Sequence, residues 1–319
     1  MLNRHARIYV AGNTTMIGFA IVRALHDRGY ANLAGLGDHE PDVTNPDEVD
    51  AFFARHRPQY VFVAAGKSGG IQANRERGAE LMLHNLKVAT TMIPSAHHYG
   101  VTKLLYLASS CVYPRDCAQP MKEQDLMTAP LEATNGPYAL AKLAGIQLCQ
   151  AYRQQYGAKF IVAIPANVFG PGDSFDPDNS HVVASLMRRM DDAKRTRGDH
   201  IDVWGTGTPV RELMPVADLA RACLHVMELY DDDEPINLGN GHGLSVAELA
   251  ETIRAIVRFR GEIRFDASWP DGMPHKILDS SKLRALGWEP GVQLDHALEE
   301  LYGWYCHHLV PLQVEPDAA

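Results

Sequence analysis

Tyr138 and Lys142 stand four residues apart in a stretch, 137–156, whose apolar spacing predicts a helix, so both side chains share one face. A lysine beside a phenol lowers the phenol's pKa through its charge and can also hold a nicotinamide ribose. Such a pair passes a proton to or from a carbonyl oxygen. Residues 103–108 read as a buried strand, and Ser109-Ser110-Cys111 follows at its carboxyl end. A hydroxyl there reaches the same substrate oxygen. The tyrosine–lysine spacing alone occurs in many helices; joined to a serine after the preceding strand, it points to carbonyl oxidoreduction.

A second cluster opens the chain. Residues 6–11 predict a strand that runs into Gly12-Asn-Thr-Thr-Met-Ile-Gly18 and a helix over 15–28. Gly12 suits the tight turn and Gly18 the close helix–strand contact. The start of the helix, around Thr15, Met16 and Ile17, is where a dinucleotide pyrophosphate would sit. Thr15 replaces the middle glycine of a GxxGxxG pattern, crowding the phosphates with its β-carbon while offering a hydroxyl donor. Two glycines at this spacing also fit an ordinary βα turn. Asp38, twenty residues after Gly18, ends the second strand. A carboxylate there accepts from adenosine ribose hydroxyls and repels a 2′-phosphate, although it equally suits a solvated loop. No arginine or lysine lies between Gly29 and Ala54, which favours NAD(H) over NADP(H), and Asp42 is placed to reach the adenine edge.

These residues need a frame. Predicted strands at 6–11, 32–36, 60–65, 103–108 and 159–164 alternate with helices at 15–28, 46–56, 80–98 and 137–156, the rhythm of an α/β, doubly wound parallel sheet. Beyond Pro165 the rhythm loosens into helices at 181–194, 216–230, 245–257 and 280–286, with strands near Trp204 and at 262–265. That portion is expected over the carboxyl ends of the sheet, where such folds bind ligands. The expected division is a Rossmann dinucleotide-binding domain of residues 1–170 plus about 200–235. A smaller discontinuous substrate domain takes about 171–199 plus 236–313, and 314–319 form a polar tail.

Composition narrows the class. The 319 residues are 46% hydrophobic and 22% charged, with 30 Lys+Arg against 39 Asp+Glu and a net charge of −9. That balance argues against a nucleic-acid partner, which needs a basic face. No apolar stretch approaches the ~20 residues of a membrane span, and the first residues do not read as a signal peptide. Cys111, Cys117, Cys149, Cys223 and Cys306 are scattered without a CxxC pair. No disulfide framework or metal site is expected, and a reduced cytoplasmic compartment is.

Longer blocks carry a resemblance. Gly69-Gly70-Ile71-x-Ala73-Asn74, Ser109-Ser110-Cys111-Val112-Tyr113-Pro114 and Pro137-Tyr138-Ala139-x-Ala141-Lys142 come first. Pro165-Ala166-Asn167-Val168-Phe169-Gly170, Asn179-Ser180-His181, Trp204-Gly205-Thr206-Gly207 through Arg211-Glu212, and Pro270-Asp271-Gly272-x-Pro274 follow in order. The chain resembles the extended short-chain dehydrogenase/reductases, and within them the GDP-L-fucose synthase family, nearly end to end. The resemblance implies 3,5-epimerisation and 4-keto reduction of a GDP-4-keto-6-deoxy sugar. Cys111 and His181 would be the acid/base pair, and Ser109, Tyr138 and Lys142 would serve the carbonyl. It also implies that Lys142, Pro165, Asn167, Val168 and His181 line the cofactor site. Arg189 and Arg211 would grip a nucleotide diphosphate, Trp204 and Asp271 would touch substrate, and Lys276 is a further candidate. By analogy, helices 80–98 and 137–156 would pair in a homodimer.

The chain departs from that family where the coenzyme phosphate would bind. The family's His-Arg-Gly is Asn13-Thr14-Thr15 here, and Asp38 replaces its usual arginine. Three readings stay open: a fucose-synthase-like epimerase/reductase, an NAD-dependent epimerase without net reduction, and a nucleotide-sugar-binding homologue without catalysis.

Overall fold

The central strands carry apolar residues on both faces, and both faces are buried, as a parallel sheet covered by helices requires. The computed structural model describes residues 3–177 and 180–310. Strands β1 (Ile8–Ala11), β2 (Leu33–Ala34), β3 (Tyr60–Val63), β4 (Lys103–Leu107) and β5 (Phe160–Pro165) come first along the chain. Among them lie helices α1 (Met16–Asp27), α2 (Pro46–His56), α3 (Ile71–Glu76), α4 (Gly78–His98) and α5 (Gly136–Tyr156). Next are β6 (Asn167–Phe169), α6 (Val182–Thr196), β7 (His200–Trp204), β8 (Val210–Pro215), α7 (Val216–Leu229) and β9 (Ile236–Leu238). Last come β10 (Gly243–Ser245), α8 (Val246–Val257), β11 (Glu262–Asp266), β12 (His275–Lys276), α9 (Ser281–Ala285) and α10 (Leu294–His308).

The main sheet is parallel throughout, in the order β2-β1-β3-β4-β5-β9. The chain leaves β1 on one side for β2 and returns on the other for β3. A crevice therefore opens beyond the carboxyl ends of β1 and β3. The expected doubly wound α/β sheet is present, with local differences. Strand β2 is shorter than residues 32–36 because Gly35 and Gly37 turn the chain at φ +68° and +60°. Thr15 and His181 lie just outside α1 and α6 as N-caps rather than inside them. Ser245 likewise caps α8, in a reciprocal box with Glu248. Neither α3 nor α10 is announced by the spacing.

Pairing redraws the expected lobes. Strand β9 bonds to β5 and belongs to the main sheet, whereas β7 bonds to β11 outside it. The smaller lobe has its own apolar core, in which Phe169, Met187, Ile201, Leu213, Ile253 and Leu298 are buried. Residues near 200 thus join the smaller lobe, and 236–238 the larger. Partner choice between distant strands is not encoded in local periodicity. The tail 314–319 lies outside the described residues.

Asn237 on β9 is fully buried and ties several segments together. Its side chain accepts from the Tyr113 hydroxyl at 2.6 Å and donates to the Met121 and Asp279 carbonyls at 3.0 Å each. Its amide donates to Glu123 at 3.0 Å. Asn237→Leu removes three hydrogen bonds and leaves the Tyr113 hydroxyl and the Asp279 carbonyl without this partner, so unfolding followed by circular dichroism in urea should show a loss of about 3 kcal/mol.

Candidate active site

Helix α1 meets the end of β1 at the glycine loop. Gly12 has φ +83°, and a β-carbon there would lie 2.8 Å from the Ala65 backbone. A β-carbon at Gly18 would collide with the Gly12 carbonyl. Both glycines are therefore required by the close approach. Thr15 does not offer its hydroxyl proton outward as expected. It donates to the Gly12 carbonyl at 2.7 Å and accepts from the Gly18 amide at 3.2 Å. The backbone amides of Met16 and Ile17, which have no intrahelical acceptor, open the first turn toward the crevice.

Two residues that the sequence reading passed over brace this loop. Buried Asn13 donates to the Gly35 carbonyl at 2.7 Å and accepts from the Gly37 amide at 3.0 Å. Glu40 accepts from the Gly12 amide and, at 3.2 Å, from the Tyr9 hydroxyl. Burial raises the Glu40 carboxyl above its usual range, against those hydrogen bonds. Asp38 lies in the helical turn Gly37–His39, and its side chain is outside the described part. Asp42 turns its carboxylate onto the Thr44 amide and hydroxyl, at 2.9 and 2.8 Å, which lowers its pKa.

The candidates for handling a carbonyl, Ser109, Tyr138 and Lys142, converge beyond β4. Ser109 caps the short turn Ser110–Val112, accepting from the Cys111 amide at 3.3 Å, and lies beside Tyr138. Tyr138 is buried on the first turns of α5. Burial, reinforced by Cys111, pushes its phenol well above the usual range, with the neighbouring Ser109 side chain acting the other way. The phenol is thus held protonated, the form that can donate to a developing alkoxide. Lys142 turns its ammonium to the Leu107 carbonyl, 3.0 Å away, so the expected lowering of the Tyr138 pKa by Lys142 does not dominate. Burial lowers Lys142 itself to about 8.

Asn85, on the buried face of α4, was also missed; a polar residue among apolar helix positions was its only signal. Its amide donates to Lys67 and Leu81 carbonyls at 2.8 and 2.7 Å, while its Oδ1 is buried without a partner. A β-carbon on Gly66 would lie 2.6 Å from that oxygen and 3.2 Å from Lys142 Nζ. Glycine at 66 therefore leaves the Asn85–Lys142 corner open.

Cys111 is half-buried and receives two donors: Lys276 Nζ at 3.2 Å and Asn135 Nδ2 at 3.3 Å. Lys276 also reaches Asn167 Oδ1 at 3.4 Å. That contact joins β12 to β6, which continues from Pro165 through Asn167 and Val168. His181 sits 3.3 Å from Ser68 Oγ and is kept below its usual pKa by burial and by the Lys276 charge. Gly70 brings the preceding loop against this segment, since a β-carbon there would stand 2.9 Å from the Ser180 carbonyl. Lys276 therefore lies with Cys111 and His181, the candidate acid/base pair.

The remaining candidates form a separate group on the smaller lobe. Arg189 donates to the Asp202 carbonyl, and Arg211 to the Asp271 carbonyl at 3.1 Å. Asp271 commits its carboxylate to the Thr206 amide and hydroxyl, at 2.7 and 2.9 Å. Trp204 stacks on Trp269, which sequence reasoning did not single out. Among the described residues no group of three or more His, Cys, Asp or Glu is placed to hold a metal ion, and no helix is long and apolar enough to cross a membrane.

Comparison with known proteins decides the family. The sequence model of the NAD dependent epimerase/dehydratase family matches residues 8–239. GDP-L-fucose synthase 1 of Arabidopsis thaliana is 46% identical, over 96% of this chain and 94% of that protein. GDP-L-fucose synthase of Escherichia coli (strain K12) is 42% identical, over 94% of this chain and 96% of that protein. The chain belongs to this epimerase/dehydratase family, in its GDP-L-fucose synthase branch. It is an enzyme of the short-chain dehydrogenase/reductase type, from an NAD(P)-dependent family. Among solved structures, a GDP-6-OMe-4-keto-L-xylo-heptose reductase from C. jejuni is similar at TM-score 0.90 and 29% identity, over 96% of this chain and 99% of that one. A GDP-L-fucose synthetase from Naegleria fowleri bound to NADP follows at TM-score 0.87 and 27% identity, over 96% of each chain.

The crevice suits a dinucleotide: a glycine cradle, helix amides beside it, and the unpartnered Asn85 oxygen next to Lys142. Lys142 is charged below about pH 8 and neutral above it. Coenzyme affinity measured by calorimetry should therefore fall as pH rises through 8, and Lys142→Met should bind more weakly with that pH dependence flattened.

Proposed function

We propose that this enzyme inverts C3 and C5 of a GDP-4-keto-6-deoxy sugar and reduces its C4 carbonyl. The observation that carries the reading is one cleft holding both buried Tyr138 with Ser109 beside it and a Cys111 thiol with two donors on its sulfur. The 4-keto group acidifies the C3 and C5 protons. One member of the Cys111/His181 pair removes a proton, leaving an enolate, and the other returns a proton to the opposite face. The Lys276 ammonium and Asn135 amide stabilise charge on sulfur as it forms. Ser109 and Tyr138 hold O4 throughout, and Tyr138 donates its proton to that oxygen in the reduction. Bound nicotinamide dinucleotide supplies the hydride; Gly12, Met16, Ile17, Gly18, Lys142, Pro165, Asn167 and Val168 would hold it. Arg189, Arg211 and Trp204 would bind the nucleotide, with Asp271 and Thr206 shaping that loop.

NAD(H) is the proposed coenzyme. Support comes from Asp38, from Thr14 and Thr15 in the glycine loop, and from the additional Glu40 carboxyl braced on Gly12. Negative charge at the adenosine end opposes a 2′-phosphate. The same charge favours a second reading, epimerisation with tightly held NAD+ and no net reduction. A homodimer through α4 and α5 is supported by Leu83 and Leu140 on those helices, 56% and 50% exposed. A cytoplasmic location is supported by the five free cysteines.

Incubation with GDP-4-keto-6-deoxy-mannose in deuterated water separates the readings. Label at C3 and C5 with consumption of NADH supports the first, label without consumption supports the second, and no label sinks both. Cys111→Ser should cut exchange by about 100-fold or more, whereas Tyr138→Phe should cut reduction by a similar factor and leave exchange within a few-fold. Tighter binding of NADPH than of NADH would overturn the coenzyme assignment. In light scattering, Leu83→Glu with Leu140→Glu should convert a dimer to monomers.

A further inference from the structure

Trp204 and Trp269 lie face to face at the surface, with ring centroids 4.1 Å apart and planes 7° from parallel. Both stay well exposed, at 41% and 37%. Rings that are not buried add little to a core, and a bare aromatic face is a platform for another flat ring.

The pair is held by its frame. Strands β7 and β11 run parallel, with Trp204 opposite Asp266 at their ends. The Asp266 carbonyl accepts from the amides of both Gly205, at 2.9 Å, and Trp269, at 3.3 Å. One peptide oxygen thus sets the position of both rings. The Asp266 carboxylate adds a 3.0 Å bond from the Ser268 amide, closing the turn that carries Trp269.

Two cations flank the stack. Arg189 is pinned to the carbonyl of Asp202, two residues before Trp204. Arg211 is pinned to the carbonyl of Asp271, two residues after Trp269. On strand β7 two residues span about 7 Å, comparable to the ribose that separates a base from its diphosphate. Guanidinium groups suit that diphosphate.

We propose that Trp269 is a base-recognition residue, forming with Trp204 a two-ring platform on which the purine of a nucleoside diphosphate stacks. The proposal rests on the nucleotide-sugar reading above and gives that site its base selectivity. A fused purine overlaps the platform more fully than a single pyrimidine ring does.

Calorimetry with GDP and UDP on the full chain tests it, using wild type, Trp269→Ala and Trp269→Phe. Wild type should bind GDP more tightly than UDP. Trp269→Ala should weaken GDP about tenfold, within the range that base stacking supplies, and UDP about twofold or less. Trp269→Phe should stay within about threefold of wild type for GDP, and NADH binding should be unchanged in both variants. Absence of GDP binding by wild type would overturn the nucleotide-sugar reading together with this one. GDP binding that Trp269→Ala leaves intact would overturn the Trp269 assignment alone. Equal losses for GDP, UDP and NADH would reduce Trp269 to a support of the fold and overturn it as well.

Discussion

Helix α1 approaches β1 so closely that a methyl group on Gly18 would overlap the Gly12 carbonyl. Much of the crevice depends on that contact. It fixes where the first turn of α1 presents its amides, and it is reinforced by Thr15 within the loop and by Asn13 and Glu40 from outside it. Because every strand of the main sheet is parallel, the carboxyl ends of β1, β3, β4 and β5 open at the same edge. Residues from very distant parts of the chain therefore meet without any long-range motif to bring them together. The close helix contact at one strand and the shared edge of the others make one cleft from separate βα turns.

That cleft holds polar atoms the protein does not satisfy by itself. Asn74 Oδ1, Asn85 Oδ1, Asn135 Oδ1, Asp173 Oδ2 and Ser180 Oγ are buried without a hydrogen-bond partner among the described residues. Several belong to residues whose other atoms are firmly bonded: Asn74 holds the Gly69 and Gly70 carbonyls, and Asn135 donates to Cys111. Burial pushes the Asp173 carboxyl up to about 7. Orphaned buried groups cost stability unless something completes them. The Asn85 oxygen beside Lys142 and the Asn135 oxygen, on the residue that reaches Cys111, stand where a polar ligand would complete them, whereas others, the Tyr106 hydroxyl and Trp288 Nε1 among them, lie in the main core.

The portion proposed to bind a nucleotide stands on different foundations. Its frame is a two-stranded sheet in the smaller lobe, and its cations are pinned to main-chain carbonyls rather than to carboxylates. Burial lowers the pKa of both arginines, and a carboxylate acts against that at each, Asp202 at Arg189 and Asp271 at Arg211. The Asp271 carboxylate bonds to the Thr206 turn and shapes that loop, while the carbonyl of the same residue holds Arg211.

Much was legible from residue order alone. The strand–helix alternation, the glycine loop, and the Ser109, Tyr138 and Lys142 set are local patterns, set by spacings of a few residues that periodicity and turn chemistry express directly. Membership of the family was legible too, since it rests on blocks of contiguous residues. The tertiary structure alone decided that Lys276 sits on Cys111, that Glu40 braces Gly12, that Trp269 faces Trp204, and that β9 rather than β7 joins the main sheet. Each of those is a contact between segments that share no period, created by strand order and by where loops land after folding. Charge tells the same story. The net −9 is a property of composition, whereas the placement of Lys276 on Cys111 and of Arg211 on the Asp271 carbonyl exists only once distant segments meet.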